Sequence, residues 1–207
     1  MAQMGFYINS AVCSGCKACE LACKDRNNLD VGARLRKVRQ VSGGTWDHDP
    51  ALGTYTPKGV FSYSISFSCG HCESPACVAS CPTGAMAKDA DTGIVSNDPD
   101  VCIGCGACAK ACPYGAPAVV ETLGIAKKCD MCKNLIDIGE APACVEICPQ
   151  RVLEYDTYDN LVAKHDGLKD VAPLPDSATT GPCVVITPHA DAVYDSGQCR
   201  PMHLEEQ

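Results

Sequence analysis

Three observations predict an α+β fold built around inorganic cores. Sixteen of the eighteen cysteines fall into four tight groups. Only three Phe and one Trp occur in 207 residues, so an ordinary aromatic core is not available. Short β-rich stretches precede the groups, and the last two cysteines of each group stand one helical turn apart. The length allows one large domain or two small ones.

The first group is Cys13-x2-Cys16-x2-Cys19-x3-Cys23, and the third is Cys102-x2-Cys105-x2-Cys108-x3-Cys112. The second is Cys69-x2-Cys72-x4-Cys77-x3-Cys81, and the fourth is Cys129-x2-Cys132-x11-Cys144-x3-Cys148. Three groups end in Cys-Pro, at Pro82, Pro113 and Pro149. In bacterial ferredoxins such a run supplies three close thiolates to one cubane, and its fourth reaches across to another. Four groups of four imply four 4Fe–4S clusters, with these sixteen cysteines as iron ligands. Zinc ribbons draw two cysteines from each of two knuckles and have no use for the rest of the run. A disulfide framework would not repeat one spacing. Thiolate–iron bonds then supply free energy that a small apolar core cannot, and the apo-chain is expected not to fold stably.

Taken in order, Gly5–Asn9 reads as a short strand leading into Val12-Cys-x-Gly-Cys. Gly93–Pro99 leads the same way into Val101 and the third group. Gly15, Gly104 and Gly106 let the backbone fold tightly and aim N–H groups at sulfide. Cys19–Cys23, Cys77–Cys81, Cys108–Cys112 and Cys144–Cys148 suit single helical turns. Between groups one and two, Leu35–Val41 ends at Ser42-Gly43-Gly44. Val60–Ser68 alternates Phe61, Tyr63, Ile65 and Phe67 with serines, as a half-buried strand does. A small antiparallel sheet is expected there. Val152–Tyr155 reads as a closing strand and Asn160–Leu168 as a short helix. Beyond Ala172 the prolines 173, 175, 182, 188 and 201 and the lack of periodicity predict an extended arm that lies on another surface. Truncation after Val171 is expected to leave the clusters intact and to weaken partner binding.

The net charge of −8, made more negative by bound clusters, argues against nucleic acid as a partner. Basic residues bunch at Arg34, Arg36, Lys37 and Arg39 and at Lys127 and Lys128. Their plain reading is a solvated face. The other is that some lie over clusters and raise reduction potentials. The N-terminus lacks the basic and apolar regions of an export signal, and no apolar run is long enough to cross a bilayer. His71, Asp130 and Glu146 read as local hydrogen-bonding or packing groups, and Cys183 and Cys199 as buried or incidental thiols. No Ser-His-Asp set, phosphate loop or dinucleotide fingerprint is found. Electron transfer is the chemistry the sequence supports.

The chain resembles the iron–sulfur subunits of DMSO reductases, within the complex iron–sulfur molybdoenzymes. The resemblance runs nearly end to end. It is carried by Gly5–Asn9, Cys-Ser-Gly-Cys-Lys-Ala-Cys-Glu-Leu-Ala-Cys-Lys at 13–24, and Gly-His-Cys-Glu-Ser-Pro-Ala-Cys at 70–77. It continues in Cys-Pro-Tyr-Gly-Ala-Pro at 112–117 and Val-Val-Ile-Thr-Pro at 184–188. It implies two ferredoxin-like modules with nested connectivity. Residues 1–33 and 121–158 form one (groups one and four), and residues 69–120 the other (groups two and three). Residues 34–68 are a β insertion, and 159–207 a helix and extended C-terminal arm.

Nesting, with the fourth cysteine crossing over, assigns Cys13, Cys16, Cys19 and Cys148 to one cluster. Cys129, Cys132, Cys144 and Cys23 take the next. Cys102, Cys105, Cys108 and Cys81 hold the third, and Cys69, Cys72, Cys77 and Cys112 the fourth. Some relatives carry tryptophan in place of the first cysteine of group three; Cys102 favours four cubanes. By the same resemblance electrons enter at the fourth cluster and leave from the first. The implied partners are a molybdenum bis-pterin catalytic subunit and a membrane-embedded, quinol-oxidising subunit. The implied place is the periplasmic face of a membrane, reached with a twin-arginine-signalled partner, with the cytoplasmic face as alternative. The chain itself is not an enzyme. The alternatives are a free-standing multicluster carrier, or the same subunit in a polysulfide, tetrathionate, formate or aromatic-hydroxyl enzyme.

Overall fold

The computed structural model describes residues 2–192 and, as backbone, 203–205. Its elements in chain order are β1 (Met4–Asn9), α1 (Ala18–Arg26), β2 (Lys37–Asp49), β3 (Thr54–Phe67) and α2 (Ala76–Ala79). Then come β4 (Met86–Lys88), β5 (Val95–Asn97), α3 (Ala107–Ala111), β6 (Ala118–Val120), β7 (Ile125–Lys127) and α4 (Lys133–Ile136). α5 (Ala143–Glu146), β8 (Leu153–Thr157), α6 (Tyr158–Lys164), β9 (Val184–Thr187) and β10 (His203–Glu205) complete the set. Short strands and one-turn helices alternate, an α+β pattern.

β1 is the hub. It pairs antiparallel with β8, Phe6 opposite Tyr155, and parallel with β9, Phe6 opposite Val184. Phe6 and Ile8 on one face are each about 1% exposed and Tyr7 on the other face is 6% exposed, so this central strand is buried on both faces. β2 and β3 form a hairpin longer than the sequence predicts, because the Gly43-Gly44 pair is a bulge and not a turn. Gly44 sits at φ +113° with Val60 backbone against it, a place where no side chain fits. The strands run on to a turn at Pro50–Gly53. The proximal half is buried through Val41, Tyr63, Ile65 and Phe67. The distal half projects, with Trp46 and Tyr55 exposed.

The segment after Ala172 is not an extended arm through residue 192. Val171, Leu174, Cys183, Val184, Val185, Ile186 and Ala192 are all buried, and β9 completes the central sheet. Its prolines mark turns around a folded segment; Pro182 caps Gly70, with no room for a Cβ between them. The remainder of the arm, with Cys199, lies outside the described residues apart from the β10 backbone, which adds to the β2 edge at Gln40–Ser42. The boundary expected between residues 120 and 121 falls inside the β6–β7 hairpin. That hairpin packs on both sides, Val120 beside Cys23 and Ala126 beside Cys108.

Candidate functional site

All sixteen cysteines of the four groups are free thiols, and they converge in fours. Cys13, Cys16, Cys19 and Cys148 line one cavity, and Cys23, Cys129, Cys132 and Cys144 a second. Cys69, Cys72, Cys77 and Cys112 line a third, and Cys81, Cys102, Cys105 and Cys108 a fourth. The cavities enclose about 290 to 360 Å³ of atom-free space. A wider open groove beside the first cavity is lined by Lys17, Arg34, Lys37 and Arg39, with Cys13 its one thiol.

Local backbone explains the convergence. The loops before α1 and α3 turn through left-handed residues, Gly15 and Lys17 in one and Gly104 and Gly106 in the other. Groups two and four share a different turn. His71 and Met131 have φ of +44° and +59°, and their N–H groups donate to the Sγ atoms of Cys69 and Cys129, each at 3.4 Å. The N–H groups of Met86, Ala116 and Ala126 donate likewise to Cys81, Cys112 and Cys102. At Gly104 a Cβ would collide with the Gly124 carbonyl oxygen. Gly104→Ala is expected to cost about 1–3 kcal/mol locally and to lower iron retention at the Cys102 set alone, read by iron analysis and electron paramagnetic resonance (EPR).

Do these sites fit a cluster? Among the described residues no three His, Cys, Asp or Glu side chains gather around one point. A single zinc needs thiolates about 2.3 Å from a common centre. Here the thiols stand on cavity walls instead, as ligands to the corners of a larger group do. Burial pushes the Cys23 and Cys77 thiols up to about 12, and Cys129 is also pushed up, first by burial and then by Cys69. Such thiols are neutral without metal, so iron binding must release protons. Three described side-chain atoms are buried without a hydrogen-bond partner: Arg36 Nε, His71 Nε2 and Tyr114 Oη. Arg36 lines the Cys23 cavity, Tyr114 lines the Cys69 cavity, and His71 lies between Cys69 and Cys72 in sequence. Burial and then Lys128 hold His71 far below its usual range, so the ring is neutral. Val95 N–H donates to its Nδ1 at 3.0 Å, which leaves the proton on Nε2 as a donor in need of an acceptor. Acceptor sulfur within these cavities would satisfy what the protein leaves open.

The cavities form a row, and their order differs from the expected one. Ser66 links the first two sets, lying 3.3 Å from Cys19 Sγ and accepting from Arg36 of the Cys23 cavity. Ser68, next to Cys69, lines the Cys129 cavity, and Lys128, next to Cys129, lines the Cys69 cavity. The Cys69 set therefore adjoins the Cys129 set and lies inside the row, with the Cys102 set at the far end. Cys69 lies two residues past the end of β3 and shares a core cluster with Ile65 and Phe67 of β3 and Phe6 and Ile8 of β1. Cys77 lies within α2 and Cys81 just beyond its end, and they line different cavities. The two cysteines that are exposed among the described residues, Cys16 and Cys105, belong to the two end sets.

Some residues at the site carry no signal in the sequence. Thr180 donates to Cys72 Sγ at 3.2 Å from 108 positions away, and the Ser66 hydroxyl lies 3.3 Å from Cys19 Sγ. The basic runs are not one solvated face. Arg36 and Lys128 are 1% and 5% exposed, whereas Arg34 pairs with Glu20 at 3.1 Å. Lys128 Nζ donates to the carbonyls of Val95 and Cys129. Asp130 accepts from Cys132 N–H at 2.8 Å, a local polar role. Cys183 is fully buried, its thiol pushed up to about 11 by burial.

A 4Fe–4S dicluster domain model matches residues 60–157, and a 4Fe–4S binding domain model matches residues 10–28. The protein is 47% identical over 190 residues to the B subunit of the anaerobic dimethyl sulfoxide reductase of Escherichia coli, covering 92% of this chain and 91% of the relative. The corresponding B subunit of Haemophilus influenzae is 42% identical over 189 residues, 91% of either protein. Protein NrfC of Escherichia coli is 36% identical over 160 residues, covering 76% of this chain and 67% of the relative. Thiols gathered in fours, the 4Fe–4S domain matches and this identity across nine-tenths of the length place the chain in the family of iron–sulfur B subunits of anaerobic dimethyl sulfoxide reductases.

Proposed function

We propose that the chain is the electron-transfer subunit of a dimethyl sulfoxide reductase-type complex and carries four 4Fe–4S clusters in nested modules. The observation that carries this reading is the row of four cavities, each walled by four cysteines, with an exposed cysteine in each end set. A 4Fe–4S cluster supplies a one-electron couple when bound. The protein's part is to hold each by four thiolates, donate backbone N–H groups to the sulfurs and exclude water from the two inner sites. The row has two accessible ends, one for a donor and one for an acceptor. Electrons enter at the Cys102 set and leave from the Cys13 set. The donor is a membrane-embedded, quinol-oxidising subunit, and the acceptor is a molybdenum bis-pterin catalytic subunit. No helix among the described residues is long and apolar enough to cross a membrane, so membrane attachment comes through that partner. The complex faces the periplasm, the chain having crossed with a twin-arginine-signalled partner. The similarity to the B subunits of dimethyl sulfoxide reductases weighs against a free-standing carrier.

Anaerobic purification of the complex is expected to yield about sixteen irons and as many sulfides on this chain. Stoichiometric zinc with little iron would overturn the reading.

A further inference from the structure

Arg36 is a buried cation without an anion of its own. It is 1% exposed and makes no ion pair with any described carboxylate. Its Nη1 donates to the Ser66 carbonyl at 3.2 Å and the Ser66 hydroxyl at 3.1 Å, and its Nη2 to Ser68 Oγ at 3.0 Å. The guanidinium carbon stands 4.9 Å from the centre of the Phe6 ring. All these partners are neutral, and Nε has no partner at all. Leaving a full charge in such a place is costly unless an opposite charge faces it. What it faces is the cavity walled by Cys23, Cys129, Cys132 and Cys144, which it lines, and its acceptor Ser66 lies 3.3 Å from Cys19 Sγ of the neighbouring set.

We infer that Arg36 is the built-in counter-cation of the two sites it adjoins, with its free Nε–H serving as a donor to the group held by Cys23, Cys129, Cys132 and Cys144. A fixed positive charge favours the form of a neighbouring site that holds the extra electron. The two sites on the Cys13 side of the row are thereby made better electron acceptors than their thiols alone would make them. Electrons are drawn inward from the Cys102 end. Lys128, also buried, lines the Cys69 cavity instead and donates to two backbone carbonyls. Arg36 thus does for redox energy what its place in a basic run hides.

This inference rests on the reading that the thiol sets hold clusters. Redox titration by EPR on the intact complex tests it, with iron content measured on every sample. In Arg36→Gln, at a fixed ambient potential, the reduced-to-oxidised ratio at the Cys13 and Cys23 sites should fall about tenfold. That equals about 59 mV for one electron. The Cys102 site should not move. Arg36→Lys should restore most of the ratio. Ser68→Asp neutralises the guanidinium without removing it and should shift the same two sites downward, so it decides the matter if Arg36→Gln loses iron. Unchanged ratios with full iron in Arg36→Gln or Ser68→Asp, or an equal shift at all the sites, would overturn the inference. Low iron in the unmodified complex would instead overturn the cluster reading beneath it.

Discussion

Cys148→Ser is expected to abolish the same cluster signal as Cys16→Ser and to leave intact the one lost in Cys132→Ser. Cys144 lies within the single turn of α5 and Cys148 just beyond it, yet they line different cavities, Cys144 with Cys23 and Cys148 with Cys13 and Cys16. A serine hydroxyl is a poor substitute for a buried thiolate, so the whole cluster, about four irons, should be lost or converted. EPR of the reduced complex, with iron analysis on each variant, reads the result. If Cys148→Ser instead matched Cys132→Ser, each group would close its own cubane.

Truncation after Val171 should be nearly as damaging, contrary to the expectation from composition. It removes β9 from the side of β1 and with it Leu174, Cys183, Val184, Val185 and Ile186, all at most 4% exposed. Each large apolar side chain among them contributes roughly 1.5–3 kcal/mol through burial, so their sum rivals a typical net stability of about 5–15 kcal/mol. The cut also removes Thr180 from Cys72. The shortened chain is expected to lose iron at the Cys69 and Cys13 sets and to yield little soluble protein. Full iron content and an unchanged far-ultraviolet circular dichroism spectrum would refute this.

The contrast between these two predictions marks what was legible in the sequence. Ligand spacing is a local property: Cys-x2-Cys-x2-Cys fixes three thiols on one loop whatever the rest of the chain does. The alternation of Val60–Ser68 was equally plain, but it hid that Ser64, Ser66 and Ser68 are buried as well, against the thiol sets and Arg36. The parallel pairing of β9 with β1 joins residues nearly the whole chain apart, and four apolar residues among prolines carry no period that announces it. Gly43-Gly44 reads equally as a turn or a bulge until the partner strand is known. The order of the cavities depends on how β3 packs, which spacing does not encode. Arg36 was ambiguous for a similar reason: a basic run reveals its charge but not which member turns inward.

The topology around β1 also bears on how the protein is made. The thiols of Cys13, Cys16 and Cys19 leave the ribosome early, but one wall of their cavity is Cys148, and both neighbours of β1 come later still in synthesis. The sets ending at Cys112 have all their thiols available while the remainder of the chain is untranslated. Maturation therefore runs against chain order. The middle of the polypeptide is ready for its inorganic cargo first, and the segment synthesised first must be kept soluble and reduced until the last strand arrives.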